Sequence, residues 1–419
     1  MWSRYWLFWT LLLQLAVGAL SSEPPAWSPP SYEFENVFPE SAVYRRNASA
    51  VYASSLVGGQ PVYVSMTTMS SRIGRVHKTI RAIFEGPVIP DRLYLFISRA
   101  PFLLDAGIAN KSVIPEELRA MALEQLLPLT IVFTDNLGSH RKLLPLLALK
   151  WQEDCVIATF DDEPKDEGKV QQYLSQLVKY YLASNRTAVV SLKARRIGMC
   201  REPPWTIRNY GYWGVASAGK LEMFLLPTGT GSVLYRPRFF HPIVFDPVLR
   251  ALTHTADDIM FRLGALANRV PVVTGCRNSH QRDKATGAVI VVACPEEAYT
   301  TPIAASSFSL KNGGQRRRLL VGSATSLSQL NLHKRGNDYA WRNATAYLLE
   351  RSVLNMTALG LELMPSDRGE SCNPLLWDQQ PLRQRTDPEA KLLQKQRRAC
   401  SLTKCSKAKK ATNQTATLR

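Results

Sequence analysis

Asp161, Asp162 and Glu163 stand side by side at the end of an apolar, β-branched run, Cys155-Val156-Ile157-Ala158-Thr159-Phe160, and Pro164 follows them. Such a run reads as a buried strand, and the proline prevents it from continuing. Three adjacent like charges at a buried strand end are unfavourable unless a cation neutralises them. Mg2+ or Mn2+ suits that role, because hard ions take oxygen ligands and bind through one or two carboxylates plus a substrate's phosphates. A solvated acidic turn, with Lys165 and nearby Arg or Lys as counter-ions, accounts for the same residues. A second acidic pair, Asp257-Asp258, begins an amphipathic helix running from Asp258 to about Ala267. Carboxylates there can simply cap the helix, accepting bonds from its free N–H groups and suiting its dipole. Between the two lies Pro227-Thr228-Gly229-Thr230-Gly231-Ser232-Val233-Leu234-Tyr235, a Gly-rich turn entering a strand. It lacks the spacing and lysine of a P-loop, so it reads as a phosphate cradle or as an ordinary tight turn.

The elements that must position these residues alternate. Strands are expected at Pro61–Met66, Arg92–Ser98, Leu129–Phe133, Cys155–Phe160 and Ala188–Leu192. Helices are expected from about Ile73 to Phe84, from Pro115, from His140 to Leu149, and from Gly168 to Ala183. This alternation implies an α/β domain whose mainly parallel sheet is covered on both faces. Ligands in such sheets bind at the carboxyl ends of the strands, and the acidic turn lies at one. The second half is less regular and closes with a helix from Tyr339 to about Leu354.

Composition bounds the rest. The chain has 419 residues, is 45% hydrophobic and carries a formal net charge of +18. Residues 383–419 contribute half of that excess, with eleven Lys or Arg against Asp387 and Glu389. No zinc-finger spacing, RNA-binding signature or basic recognition helix accompanies the charge, so no nucleic acid partner is expected. Residues 1–22 read as a signal peptide or signal anchor, with an apolar core from Tyr5 to Leu20, short for a membrane span. Residues 23–58 read as a stem, 59–360 as the folded domain, and 361–419 as a basic, disordered tail. Six Asn-X-Ser/Thr sequons, at Asn47, Asn110, Asn185, Asn343, Asn355 and Asn413, agree with a secretory chain. The expected location is the Golgi or endoplasmic reticulum lumen as a type II membrane protein, or outside the cell. Of seven cysteines, Cys155 is the candidate free thiol, and Cys276 and Cys294 could bridge.

Five stretches, in order, resemble GT-A-type, family-2-like glycosyltransferases. They are Thr67-Thr68-Met69-Ser70-Ser71-Arg72, Asp135 to Leu143, Thr159-Phe160-Asp161-Asp162-Glu163, Gly229 to Tyr235, and Ala256-Asp257-Asp258-Ile259-Met260. Arg335-Gly336-Asn337-Asp338 is similar to a late signature of the family, and the match spans roughly seventy per cent of the chain. The resemblance implies a single Rossmann-like GT-A domain that uses a nucleotide-diphosphate sugar as donor and a glycan or polysaccharide hydroxyl as acceptor. Asp161, Asp162 and Glu163 would form the DXD-type motif holding Mn2+ or Mg2+ on the diphosphate, where the ion offsets leaving-group charge.

By the same analogy Thr68, Arg72, Asp135, Lys142, Asp161 and Gly231 would embrace the nucleotide sugar. Asp258 would be the base of an inverting displacement, with Asp257 orienting the acceptor or exchanging roles with it. His333 is either a late metal ligand or a surface histidine. Two positions depart from the family pattern: Glu163 stands for the usual Asp, and Met260 replaces an aromatic. A non-catalytic sugar-binding or scaffolding relative with the same fold is the competing expectation.

Overall fold

The computed structural model describes residues 27–38, 49–123, 127–162, 167–198, 207, 210, 213–275, 279–282, 289–292 and 336–355. The described residues fall in one compact unit, Met1–Glu370; the second unit, Ser371–Arg419, lies outside them. Also outside them are the leader, the basic tail, Glu163, Cys276, Cys294 and His333. Among the described residues no helix is long and apolar enough to cross a membrane.

The strands in chain order are β1 (Glu35–Asn36), β2 (Val62–Thr67), β3 (Arg92–Ile97), β4 (Leu129–Phe133), β5 (Val156–Phe160), β6 (Val189–Ser191), β7 (Ala194–Arg196), β8 (Lys220–Glu222), β9 (Leu225–Pro227), β10 (Val233–Tyr235), β11 (Val272–Thr274), β12 (Ser279–Arg282) and β13 (Val289–Val292). The helices are α1 (Ala53–Leu56), α2 (Val76–Phe84), α3 (Glu116–Leu123), α4 (Leu144–Leu149), α5 (Glu167–Ala183), α6 (Pro247–Leu252), α7 (Asp257–Ala267) and α8 (Gly336–Glu350). Nine strands form the central sheet in the order β1-β4-β3-β2-β5-β10-β6-β11-β8. The pairs β2–β3, β3–β4, β2–β5 and β6–β11 are parallel, while β1, β10 and β8 run against their neighbours. The fold is therefore mixed α/β with a large, mostly parallel, Rossmann-like sheet.

Burial explains the central strands. Every residue of β4 and β5 is buried, as continuous β-branched and apolar runs require when both faces are covered. Each large apolar side chain buried in this way contributes roughly 1.5–3 kcal/mol. The chain moves outward from β2 to β3 and β4, then returns to place β5 on the other side of β2. The loops after β2 and β5 thus diverge at a topological switch point, the position where open α/β sheets take ligands.

The structure departs from the sequence expectations in two places. The helix expected from His140 is instead a 3-10 turn, Gly138–Lys142, followed by α4. Pro145 causes the break, since it has no N–H and its ring clashes with the carbonyl four residues back; it is tolerated in the first turn of a new helix. The expected stem contains ordered chain: β1 pairs with β4, and Trp27 packs 5.2 Å from Trp151 and 5.6 Å from Phe245 between ring centres. The strand after the Gly-rich turn, β10, is inserted antiparallel between β5 and β6.

Candidate functional site

Four loops converge beside the switch point, each for a local reason. The acidic turn follows β5. The Thr68–Arg72 loop follows its parallel neighbour β2. The Gly-rich turn precedes β10, which runs away from the site because Val233 pairs with Thr159 and Tyr235 with Ile157. The connection from β4 to β5 crosses the end of β2, where the Ser65 hydroxyl donates to the Lys142 carbonyl. The first turn of α7 then supplies Asp257 and Asp258.

Lys142 is the hub of this convergence. Its side chain is only 10% exposed, and its Nζ lies 2.7 Å from Asp257 Oδ2, 3.7 Å from Asp161 Oδ1 and 3.7 Å from Asp258 Oδ1. Two acidic clusters separated by almost a hundred residues in sequence therefore share one ammonium. Burial opposes the Lys142 charge, yet the three carboxylates outweigh it and raise its pKa well above the ordinary lysine value.

The two aspartates of α7 are not equivalent. For Asp257 burial disfavours ionisation, but the Lys142 ammonium 2.7 Å away and, after it, His140 overcome it and hold the carboxyl below its usual range. For Asp258 burial again acts first, and Asp257 and Asp161 add repulsion. Lys142 and the Gly229 N–H oppose these only in part, so its pKa rises to about 7. The Asp258 side chain is 30% exposed, so it can exchange a proton with solvent or substrate. Asp257 is a fixed counter-ion, whereas Asp258 changes its protonation state near neutral pH.

Neither aspartate caps α7. The cap residue is Ala256, with no side-chain cap bond, and Asp258 instead accepts the Gly229 N–H through Oδ1 at 3.1 Å and Oδ2 at 3.2 Å. The capping expectation is corrected accordingly: both acids sit in the first turn, where they suit the helix dipole, but their bonds go to Lys142 and the Gly-rich turn rather than to the free N–H groups of their own helix.

The acidic turn also divides its work. Asp162 is buried, with Oδ2 accepting the Thr68 hydroxyl at 2.7 Å and Oδ1 3.1 Å from the Arg72 guanidinium. Its carbonyl accepts the Thr79 hydroxyl at 3.0 Å. Asp162 thus fastens the β2 loop to the β5 loop. Replacing Thr68 by Val should destabilise the fold by about 1–3 kcal/mol by removing a hydrogen bond to a buried carboxylate, which chemical denaturation would measure. Among the described residues of the turn, Asp161, 40% exposed, is the carboxylate that reaches solvent. Among the described residues no group of three His, Cys, Asp or Glu forms a metal cage.

Gly229 rather than Gly231 faces the carboxylates. A methyl on Gly229 would lie 2.5 Å from Lys142 Nζ, 3.2 Å from Asp161 Oδ1 and 3.4 Å from Asp258 Oδ1, whereas one on Gly231 would meet Lys193 Cβ at 2.5 Å and its backbone N at 2.8 Å. Gly231 thus permits close packing against Lys193. Gly231→Ala should cost about 1–3 kcal/mol through overpacking, read as a lowered Tm.

Asp135 is exposed and accepts the Glu33 backbone N–H at 3.3 Å. It follows β4, three strands from β5, or about 14 Å across the sheet, and belongs to the rim rather than to the cluster around Lys142.

Arg141 and Asp105 were not singled out by sequence. Arg141 is fully buried and donates to Thr67 Oγ1 at 2.7 Å, Asn136 Oδ1 at 3.0 Å, the Thr68 carbonyl at 2.7 Å and Asp105 Oδ2 at 2.9 Å. It joins the loops after β2, β3 and β4. Its adjacency to Lys142 was the only available signal, and adjacent basic residues more often mark a solvated face. Compared with known proteins, the chain matches no protein family and no curated protein.

Proposed function

We propose that the chain is an inverting glycosyltransferase of the secretory pathway, moving a sugar from a nucleotide-diphosphate donor to a glycan or polysaccharide hydroxyl. The observation that carries this reading is the meeting of Asp161 and Asp258 on either side of Lys142. An acidic loop at the switch point of an α/β sheet suits a donor's diphosphate when a divalent cation lies between them, and a carboxylate titrating near 7 beside it suits a base. In this reading Asp258 takes the proton from the acceptor hydroxyl, Gly229 N–H holds it in place, and Asp257 with Lys142 fixes the first turn of α7. The Thr68–Arg72 loop and the rim at Asp135 would hold the nucleoside portion.

In this reading a divalent ion of the kind that relies on substrate phosphates would be held through the single carboxylate of Asp161. Asp161 would hold Mg2+ or Mn2+, needing few protein ligands, while Asp162 is committed to Thr68 and Arg72. When bound, the ion would neutralise charge on the departing diphosphate.

The non-catalytic alternative is favoured by one observation, that the Lys142 ammonium already stands among the carboxylates as their counter-ion. Release of nucleoside diphosphate from a panel of donor sugars, with glycan acceptors and Mn2+, separates the two readings. Turnover with any donor supports the transferase. Nucleotide binding without turnover across the panel would leave the sugar-binding relative.

A further inference from the structure

A second constellation lies at the opposite end of the sheet. Asp154 precedes β5 and Pro61 precedes β2, while Arg236 and Arg238 follow the antiparallel β10. The turn after α5, with Asn185 and Arg186, closes the same end. Together these residues line a pocket of about 530 Å3 with Gly58, Gly59 and Gln60. It lies on the order of 20 Å from Asp161, since seven extended residues separate Asp154 from that carboxylate.

Three guanidinium groups meet one carboxylate here, leaving a local excess of positive charge. Arg236 is the anchor: its side chain is 3% exposed, and its Nε is buried without a hydrogen-bond partner. One of its terminal nitrogens pairs with Asp154, whose side chain is 72% exposed, so the single counter-ion stands at the solvent edge. The Arg186 guanidinium lies against Gly58, where an added Cβ would be 3.5 Å from Nη2. Arg238 is exposed. Arginine's fixed planar fork pairs with the oxygens of phosphate or sulfate two at a time. The volume falls within the range of small-ligand sites and exceeds what a bare anion needs.

We infer that this pocket binds the phosphate or sulfate monoester of a sugar-sized molecule, with Arg186, Arg236 and Arg238 on the anionic group. Nothing in the reaction proposed for the acidic cleft uses it, and it is filled independently of that cleft. The test is isothermal titration of the full chain with glucose 6-phosphate, inorganic phosphate and glucose, using wild type, an Arg186→Gln/Arg238→Gln double variant and Asp161→Asn.

Saturable binding of glucose 6-phosphate is expected in wild type and in Asp161→Asn, with no binding of glucose. In the double variant it should weaken by at least about tenfold, as loss of charged hydrogen bonds predicts. Binding of inorganic phosphate alone would assign the pocket to the free anion. Both substituted residues reach solvent, so the double variant should fold, and equal Tm values would verify it. Absence of binding by either anion, equal affinity in the double variant, or loss of binding in Asp161→Asn would each overturn the proposal.

Discussion

Asp258→Asn should lower sugar transfer by roughly 10²–10⁴-fold, the usual contribution of a positioned general base, while leaving donor affinity nearly unchanged. The two effects separate because, in the proposed reading, Asp258 serves the acceptor hydroxyl, and its link to the donor side is the Gly229 N–H together with the Lys142 ammonium 3.7 Å away. The substitution keeps the volume and the oxygen that accepts that bond, so the fold should persist. Wild-type activity should also depend on pH with a definite sign. A base must be ionised to accept a proton, and burial with repulsion from Asp257 and Asp161 raises the Asp258 pKa to about 7. The rate should therefore rise as pH increases from about 6 to 8 and level off above that range. In Asp258→Asn this acid limb should vanish from the residual rate. Steady-state kinetics across pH 5.5–9 with the best donor would measure both effects, and a limb that survives in the variant would assign the titration to another group.

Lys142→Met should destabilise the fold by about 3–5 kcal/mol, the cost of removing one member of a buried ion pair. The lower end is the better expectation, because Asp161 and Asp258 are partly exposed and only Asp257 is as enclosed as the lysine. The pH dependence identifies the cause. In wild type the Asp257 pKa is lowered on folding, so its contribution is present above the unfolded carboxylate pKa of about 3.9 and fades as pH falls through the lower folded value. Without Lys142, burial and mutual repulsion would raise the carboxylate pKa values on folding instead. Their penalty would then be greatest at high pH and relieved as protons bind. The gap in Tm between wild type and Lys142→Met should narrow on going from pH 8 to pH 5.5. A gap independent of pH would mean that lost packing, not unpaired charge, explains the damage.

Much of the scaffold was legible because it rests on local pattern. The β-branched run before Asp161 could only be buried if its strand were central, and the alternation of strands with helices implied the mainly parallel sheet that holds it. The acidic turn and the α7 pair were visible as residues whose charge needed an answer. The identity of that answer was not visible. Sequence put Lys142 among nucleotide contacts, whereas the crossing of the β4–β5 connection over β2 delivers it into the middle of both carboxylate clusters. No periodicity encodes that crossing. The division of labour between Asp257 and Asp258 was hidden for the same reason, since it depends on one ammonium lying a single ångström nearer to one of them. Gly231 drew attention as part of a Gly-rich turn, but which glycine faces the cleft follows from the antiparallel insertion of β10. Arg141 was passed over because a buried arginine with four acceptors looks, in sequence, like any surface cation.

The most direct test is calorimetric titration with a panel of nucleoside diphosphates in the presence of Mn2+, comparing wild type, Asp161→Asn and Asp258→Asn. The proposed cleft predicts saturable, Mn2+-dependent binding of at least one nucleotide, abolished by Asp161→Asn and retained by Asp258→Asn. If no nucleotide binds, or if Asp161→Asn binds as tightly as wild type, the carboxylates gathered around Lys142 are not a donor site.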